Sequence, residues 1–320
     1  MTTSLRKLGH STIEITPVGL GAWQFSEGKG FHGFIWKGLS AEETDAIVQA
    51  ALAGGINWFD TAEIYGNGRS EIALSRSLQH AGQQNGDVVI ATKWNPTFRT
   101  AHSILKTFPQ RSQNLAPFAI DLHQVHNPAS FSSPEAEMDA MAQLLNDGKI
   151  KAVGVSNFDA KNMRRAHQRL QELGYGLSAN QVKYSLLDRK IESNGILAAA
   201  KELGITIIAY SPLEMGLLTG KFHRNPDLLK NIPIGRRLAL RRNLDKSRSL
   251  LVVLEAIAAD HGVTPAQASL NWLIHFHEET AVVIPGASKP HHASESAGAM
   301  QFQLTAAEME RIDKASRAFL

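Results

Sequence analysis

The sequence predicts an eight-stranded parallel β-barrel surrounded by helices, the (β/α)₈ or TIM-barrel fold. Short apolar runs alternate along the chain with longer runs of helical periodicity, which is typical of parallel strands joined by helices. Eight such apolar runs can be counted, and several end in polar or ionisable side chains, as strands do at the catalytic face of a barrel. A doubly wound open sheet also alternates strands and helices, and it is the structural alternative.

Length and composition agree with one domain of this kind. The 320 residues are 43% hydrophobic and 20% charged, which is ordinary for a globular protein, and we expect residues 1–320 to form a single barrel domain. The formal net charge of +3 suits a phosphate-bearing ligand but falls short of a nucleic-acid-binding surface. The sequence contains no cysteine, which excludes disulfides, thiolate catalysis and cysteine-based metal sites.

The N-terminal residues and the hydropathy of the chain bear on its location. Residues 1–6 lack an apolar leader, and no apolar run reaches the length of a membrane span, so we expect a cytoplasmic protein without membrane contact. The sequence carries no signal of oligomeric state, and a monomer is the default expectation.

The chain begins with elements that precede the regular alternation. Residues 5–8 and 12–15 flank a glycine-containing turn and predict a β-hairpin. Residues 17–23 are the predicted first barrel strand, and an aromatic-rich loop over residues 28–38 follows it. A helix is then expected to begin after Ser40, which stands three residues before a glutamate in the capping-box pattern.

From there strands and helices follow one another. The remaining barrel strands are predicted at residues 56–60, 88–93, 119–126, 151–156, 179–184, 206–210 and 281–284. Further helices are predicted at residues 69–78, 134–146, 160–173, 194–203, 247–260, 265–276 and 305–316. Residues 100–114 have a poor apolar stripe and contain Pro109, so a shortened or kinked helix is expected there. Residues 212–246, rich in lysine and arginine, are predicted to be a long loop after the seventh barrel strand.

Four side chains that follow predicted strand ends suggest one chemistry: Asp60, Tyr65, Lys93 and His126. In a barrel all four lie on the same rim. Reduction of a carbonyl group leaves an alkoxide, so the reaction needs a general acid, and a phenol with a pKa of about 10 is a poor donor at neutral pH. We expect the Lys93 ammonium to lower the pKa of Tyr65, Asp60 to hold the lysine, and His126 to orient the carbonyl oxygen. Taken singly, each residue also fits an ordinary structural role, such as a helix cap, a loop anchor or a core histidine.

The motifs around these residues resemble those of the aldo-keto reductases. The pattern Asp-Thr-Ala-x-x-Tyr-Gly begins at Asp60, a lysine ends the third barrel strand, and Asp-Leu-x-x-x-His ends at His126. The resemblance covers nearly the whole chain. It implies a (β/α)₈ barrel whose bottom is plugged by the N-terminal hairpin, and reversible, NADPH-dependent reduction of aldehydes or ketones by direct hydride transfer with a tyrosine as general acid.

The resemblance also implies a set of cofactor-binding residues. Those matching contacts to the nicotinamide carboxamide are Ser156, Asn157 and Gln181. Tyr210 matches the residue that stacks on the nicotinamide ring, and the loop expected to cover the pyrophosphate contributes Ser211, Pro212, Leu213, Gly216, Leu218 and Lys221. The stretch that receives the adenosine phosphate contributes Pro285, Gly286, Ser288, Lys289, His292 and Glu295.

The cofactor is predicted to be NADPH rather than NADH, because Ser288 or Lys289 could hold a 2′-phosphate. The stretch departs from the commonest family pattern, since His292 and the pair Glu295-Ser296 stand where many relatives have an arginine or glutamine and a final Glu-Asn. No metal is predicted.

Substrate contacts are expected from Trp23, Trp94 and Asn127, which stand at strand ends and would give a largely apolar pocket for a small carbonyl compound. Basic residues are frequent from residue 224 to residue 248. A solvated loop is the favoured interpretation of this cluster; the alternatives are a lid over an anionic cofactor and, least favoured, a nucleic-acid surface.

Two patterns resemble other sites without fitting them. Residues 28–33 satisfy Gly-x-Gly-x-x-Gly, but no strand-turn-helix context surrounds them. His123 and His126 are three residues apart on a predicted strand and therefore point to opposite faces, which disfavours a shared metal.

Two other functions remain possible from sequence alone. The first is a regulatory protein that binds a nicotinamide cofactor as a sensor with little turnover. The second is a barrel lyase or isomerase that uses Lys93 as a Schiff base.

Overall fold

The computed structural model describes residues 4–28 and 38–320, and its main feature is a sheet of eight parallel strands. The short hairpin strands are β1 (Arg6–Lys7) and β2 (Glu14–Ile15). The barrel strands are β3 (Leu20–Gly21), β4 (Trp58–Asp60), β5 (Val89–Trp94), β6 (Leu122–Val125), β7 (Ala152–Ser156), β8 (Leu177–Lys183), β9 (Thr206–Tyr210) and β10 (Ala281–Ile284). Each barrel strand pairs with the next in chain order.

The first and last barrel strands meet and bring the sheet to near closure. Val18 and Gly21 form parallel bridges to Val283 and Gly286. The Gly21 amide donates to the carbonyl of Pro285 over 3.1 Å. The predicted (β/α)₈ barrel is therefore confirmed, and the open-sheet alternative is not observed.

The predicted N-terminal hairpin is also present, and it covers the N-terminal end of the barrel. Leu8, Ile13 and Ile15 are buried against inward-facing strand residues such as Leu122 and Ile208. At the turn, Gly9 has a φ of +48°, and a Cβ there would lie 2.2 Å from the carbonyl oxygen of Ser178. Only glycine fits that approach, and the hairpin leaves the opposite end of the barrel, where the strands terminate, open to solvent.

Helices follow the strands and pack outside the barrel. They are α1 (Ala41–Ala53), α2 (Arg69–His80), α3 (His102–Leu115), α4 (Pro134–Asn146), α5 (Ala160–Glu172), α6 (Ile196–Leu203), α7 (Lys221–Arg224), α8 (Ile234–Leu244), α9 (Arg248–His261), α10 (Pro265–His275), α11 (Pro290–Gly298) and α12 (Ala306–Ser316). The Ser40 hydroxyl accepts from the Glu43 amide and the Glu43 carboxylate accepts from the Ser40 amide, which confirms the predicted capping box.

Two segments differ from their sequence predictions. α3 runs for 14 residues through Pro109 and is not shortened. Its buried stripe consists of Ile104, Phe108, Arg111 and Leu115, so the pattern looked poor because one of its members is an arginine. The long connection after the seventh barrel strand is present, but most of it is helical, with 3₁₀ turns at Glu214–Thr219 and Pro226–Asn231 and helices α7 and α8.

At most strand ends the observed bound differs from the predicted one by one to three residues. The first barrel strand is much shorter than predicted. Only Leu20–Gly21 pairs as a strand, and a 3₁₀ turn occupies Trp23–Phe25. The aromatic-rich loop and most of the Gly-x-Gly-x-x-Gly pattern lie at residues 29–37, outside the described part of the chain. Within the described part, no single helix is long and apolar enough to cross a membrane. α9 and α10 taken together have the length and composition of a membrane span, but the two helices are bent by 94° relative to each other.

A buried carboxyl group on α4 gives the fold a pH-dependent stability. Glu137 is 2% exposed and accepts a hydrogen bond from Ser130 over 2.6 Å. Burial raises the pKa of this carboxyl from 4.5 to about 7. Between these values the native state binds more protons than the unfolded state, so stability falls as pH rises through this window.

Glu137→Gln is therefore expected to stabilise the protein relative to wild type at pH 8 by roughly 1–3 kcal/mol more than at pH 5. Urea unfolding at the two pH values measures this difference. Glu135→Gln is the control, because Glu135 pairs with Arg165 and its pKa is lowered, to about 2. Equal pH dependence in wild type and Glu137→Gln would contradict the assignment.

Candidate active site

The loop after β4 places Tyr65 at the open end of the barrel. Its backbone turns sharply, with a φ of +61° at Gly66 and +87° at Gly68, the residue that precedes α2. A Cβ at Gly66 would lie 2.6 Å from the carbonyl oxygen of Ser26, so this position requires glycine. The Tyr65 ring lies 6.2 Å from the Trp23 ring and 5.6 Å, edge to face, from the His126 ring, measured between centroids.

A buried ion pair lies beneath Tyr65. Lys93 is fully buried, and its Nζ donates to Asp60 Oδ1 over 2.5 Å and to the carbonyl of Thr61 over 2.9 Å. The same ammonium lies 5.1 Å from the centroid of the Tyr65 ring. Thus three of the four predicted catalytic residues form one contiguous group, and His126 lies against the tyrosine ring.

Two glutamines complete the surroundings of Asp60. Its Oδ2 accepts from Gln124 Nε2 over 3.1 Å and from Gln181 Nε2 over 2.9 Å. A carboxylate that is 2% exposed therefore has hydrogen-bond donors on both oxygens, which is what a buried charge requires.

Protonation in this group differs in part from the sequence expectation. Burial raises the pKa of Tyr65 above its ordinary value, and the opposing Lys93 charge does not overcome it. The expectation that Lys93 lowers the tyrosine pKa is therefore wrong for the net shift, although the lysine acts in the expected direction. Burial lowers the pKa of Lys93, but Asp60 and Tyr65 together outweigh burial and leave the pKa raised. A lysine held as an ammonium does not favour a Schiff-base role, which needs the free amine.

A cleft of about 370 Å³ opens above this group. Among its lining residues, those predicted from the sequence are Trp23, Asp60, Tyr65, His126, Asn127, Ser156, Asn157, Gln181, Tyr210, Ser211, Pro212, Leu213, Gly216, Lys221, Pro285, Gly286, Ser288, His292 and Glu295. Those that were not predicted as site residues include Gly21, Gln24, Ile64, Met215, Thr219, Arg236 and Ser296. One cleft thus contains both the proposed acid and most of the predicted cofactor residues.

Apart from Lys93, which lies buried beneath Tyr65, three predicted residues do not line the cleft. Trp94 is fully buried in the layer between barrel and helices, where its indole N–H donates to Ser103 over 3.0 Å, so it is not a wall of the cleft. Leu218 is 1% exposed within the core. Lys289 is exposed and does not line the cleft, although its charge helps to lower the pKa values of Lys221 and His292, which do.

Polar groups at the ends of β7 and β9 are joined to each other. Asn157 has a φ of +59°, its Oδ1 accepts from the Tyr210 hydroxyl over 3.0 Å, and its Nδ2 donates to Ser156 Oγ over 3.1 Å. The Asn157 amide nitrogen of the backbone donates to the carbonyl of Gln181. These contacts fix the side chains that the sequence assigned to a carboxamide.

Farther from Tyr65, the cleft is lined by basic groups. Burial lowers the pKa of Arg236 to about 10, while its Nη2 donates to the carbonyl of Met215 over 2.7 Å. Burial, with the neighbouring Arg236 charge, lowers the pKa of Lys221. Burial and the adjacent His291, Lys221 and Lys289 charges lower the pKa of His292 to about 4. At neutral pH His292 is uncharged, and the buried cations Lys221 and Arg236 are the groups that favour an anionic ligand.

Some of the functional residues missed by sequence reasoning had a signal. Gln124 is two residues before His126 on a strand, so period two already placed it on the inner face. Glu63 lies inside the tyrosine motif, and its carboxylate binds the Asn95 amide and Arg99, which fixes the tyrosine loop to the next strand end. Arg236 belongs to the basic cluster for which a lid over the cofactor was one interpretation, but nothing in the sequence singled it out from the other cations there.

In the described ranges, residues 4–28 and 38–320, no group of three metal-ligating side chains is present. His123 packs edge to face against Phe108 outside the barrel, whereas His126 faces the cleft. The two histidines thus lie on opposite faces of the sheet.

Comparisons with known proteins point to one family. The model of the aldo/keto reductase family matches residues 17–317. A chloroplastic pyridoxal reductase of Arabidopsis thaliana is 31% identical over 98% of this chain and 86% of its own. An oxidoreductase of Mycobacterium tuberculosis, not otherwise characterised, is 35% identical over 96% of this chain and 91% of its own.

Solved structures agree with the sequence matches. A glycerol dehydrogenase of Gluconobacter oxydans superposes with a TM-score of 0.81 at 26% identity, covering 100% of this chain and 97% of its own. A thermostable aldo-keto reductase in complex with the inhibitor epalrestat gives 0.77 at 28% identity, covering 98% and 99%. The protein belongs to the aldo/keto reductase family of oxidoreductases.

Proposed function

We propose that this protein is an NADPH-dependent reductase that converts aldehydes or ketones to alcohols reversibly, with Tyr65 as the general acid. The observation that carries the proposal is the contact between the Tyr65 ring and the Lys93 ammonium of the buried Lys93–Asp60 pair, at the floor of a cleft whose other end is basic. A proton donor and a binding site for phosphate groups in one cleft are what hydride transfer from a dinucleotide requires.

Each residue near the floor has a distinct part in the proposed reaction. The raised pKa keeps the Tyr65 phenol protonated at neutral pH, so it can give a proton to the oxygen on which charge develops. Lys93, held by Asp60, places a positive charge beside the resulting phenolate and lowers the cost of that transfer. His126, edge to face with the tyrosine, is proposed to orient the substrate carbonyl.

The residues present fit a nicotinamide dinucleotide. A reduced nicotinamide supplies the hydride when bound. Ser156, Asn157 and Gln181 offer amide and hydroxyl groups for its carboxamide, and the cations Lys221 and Arg236 offer partners for its phosphates. Two buried acceptors in the cleft, Gln24 Oε1 and Asn127 Oδ1, have no hydrogen-bond partner among the described residues, as expected of groups that meet a ligand.

The substrate is proposed to be a small carbonyl compound that meets Trp23 and Asn127, which lie beside the tyrosine in the cleft. The names of two relatives, a pyridoxal reductase and a glycerol dehydrogenase, supply candidates to test first. Pyridoxal is an aldehyde and glycerol an alcohol, so they test the two directions of one reaction.

The direct test is binding followed by turnover. NADPH and NADH are titrated by fluorescence, and oxidation of NADPH is then followed with pyridoxal and a panel of short, branched and aromatic aldehydes. We expect tight NADPH binding and turnover of some aldehydes. Binding without turnover would favour the cofactor-sensing alternative, and failure to bind either dinucleotide would refute the proposal.

The basic end of the cleft predicts the cofactor preference. Losing one charge-assisted contact to a phosphate costs about 10-fold or more in affinity, so Arg236→Met is expected to raise the Kd for NADPH by roughly 10- to 100-fold. Arg241→Met is the matched control, since Arg241 is exposed on the same helix. Equal affinity of wild type for NADPH and NADH, or an unchanged Kd in Arg236→Met, would contradict the NADPH assignment.

A further inference from the structure

The turn at residues 214–216, of which Met215 and Gly216 line the cleft, is held in an unusual backbone conformation. Glu214 has a φ of +46°, Met215 of +51° and Gly216 of +89°. Residues other than glycine rarely adopt the left-handed region of backbone conformation, because it is strained for them. Such backbone strain persists only where the surrounding structure imposes it. Met215 and Gly216 line the cleft, as do Thr219 and Lys221 beyond them. Whatever fixes this turn therefore also sets one wall of the proposed cofactor site.

The turn is fixed by the buried, charged side chain of Glu214. Glu214 is only 5% exposed, and its Oε1 accepts from Lys183 Nζ over 2.9 Å and from Ser185 Oγ over 3.1 Å. Lys183 also lies 3.3 Å from Asp188. Burial lowers the pKa of Lys183, but Glu214 and Asp188 together outweigh burial and leave the pKa raised, so the lysine is an ammonium at neutral pH.

The other partner in this contact stands on a rigid base. Lys183 ends β8, and the backbone beyond it forms a tight turn in which Ser185 and Asp188 exchange two hydrogen bonds of 3.1 Å. Tyr184, between Lys183 and this turn, is fully buried, and its hydroxyl donates to Glu192. The lysine thus presents its charge from the barrel itself, whereas Glu214 belongs to the connection that crosses the cleft.

We propose that the Lys183–Glu214 pair is a latch that holds the strained turn 214–216 in the position needed for dinucleotide binding. Both are positioning residues that act through the backbone of Met215 and Gly216. The inference rests on the proposed function, because the consequence expected is a change in dinucleotide affinity. It differs from the direct contacts to the cofactor, since neither charged group of the latch lines the cleft.

Two variants and their combination separate a latch from a simple charge effect. If Glu214→Gln and Lys183→Met both break the latch, each raises the Kd for NADPH about 10-fold. The Kd of the double variant is then no higher than that of the single variant that binds NADPH less tightly. If the groups act only through long-range charge, removing the carboxylate tightens NADPH binding, removing the lysine weakens it, and the effects add. The second pattern, or no change in any variant, would overturn the proposal.

A kinetic measurement distinguishes positioning from general damage. With NADPH saturating, the single-turnover rate of aldehyde reduction is expected to stay within about 2-fold of wild type, while the dissociation rate of NADPH rises about 10-fold. Glu202→Gln is the control for loss of a surface ion pair, because Glu202 and its partner Arg164 are both exposed to solvent. A matching fall in single-turnover rate and affinity would count against the latch.

One readout needs no cofactor at all. Hydrogen exchange of the amides in residues 211–224 is measured in the apo protein, where Gly216 and Leu218 both donate to the carbonyl of Leu213. Exchange there is expected to accelerate in Glu214→Gln and not in Glu202→Gln. If wild type binds no dinucleotide, the proposed function fails while this result still decides the latch; unchanged exchange in Glu214→Gln refutes the latch alone.

Discussion

Tyr65→Phe is expected to lower the rate of carbonyl reduction by about 10³-fold, since a positioned general acid contributes on the order of 10²–10⁴. The substitution removes only the hydroxyl, and the ring keeps its packing against Trp23 and His126. Lys93 retains Asp60 and the carbonyl of Thr61 as partners, so the fold and the NADPH affinity should change little.

Two measurements check this expectation: steady-state reduction of the best aldehyde from the panel, and the NADPH Kd by fluorescence. A loss of turnover with a Kd within about 2-fold of wild type identifies a step that follows binding. Tyr175→Phe is the matched control, because it removes a tyrosine hydroxyl that bonds Asn146 outside this cleft. Reduction that survives in Tyr65→Phe would rule out the tyrosine as the acid.

Lys93→Met is expected to lower the free energy of unfolding by about 3–5 kcal/mol, because it leaves the Asp60 carboxylate buried without its counter-ion. Asp60 is 2% exposed, and its remaining side-chain donors are the amides of Gln124 and Gln181. Activity should be lost as well, since the phenolate that forms at Tyr65 would have no adjacent positive charge.

The double variant Asp60→Asn/Lys93→Met separates the two effects. It removes both charges, so most of the lost stability should return, while reduction stays impaired. Urea unfolding and aldehyde turnover measure the two quantities on the same samples. If the double variant is as unstable as Lys93→Met, the cost lies in packing rather than in the uncompensated carboxylate.

The sequence carried most of the information about the barrel and its rim. Alternation of strands and helices predicted the sheet, and the polar residues at strand ends marked the open end, because every parallel strand ends there. Successive side chains on a strand point to opposite faces of the sheet, so if Lys93 faces inward its neighbour Trp94 must face outward. The prediction of Trp94 as a pocket wall was therefore avoidable.

Other features depended on depth and tertiary contact, which a sequence does not display. The sign of the pKa shift at Tyr65 is set by the balance between burial and the lysine charge, and burial outweighs the charge. Arg111 looked like a break in an apolar stripe, yet its Nε lies 3.3 Å from the buried carboxylate of Glu71. Arg236 reaches the cleft only because the connection after β9 folds into helices that return over the rim.

The seam of the barrel has a consequence for how the chain is made. Val18 pairs with Val283, and Gly21 with Gly286, so the contact that joins the two edges of the sheet links residues that are 265 positions apart in the chain. Pairings of such high sequence separation close late. Gly21 and Gly286 both line the cleft, and the cleft is therefore completed only after β10 has been synthesised. Until then the chain has unpaired strand edges on both sides of the gap, and such edges are prone to aggregation.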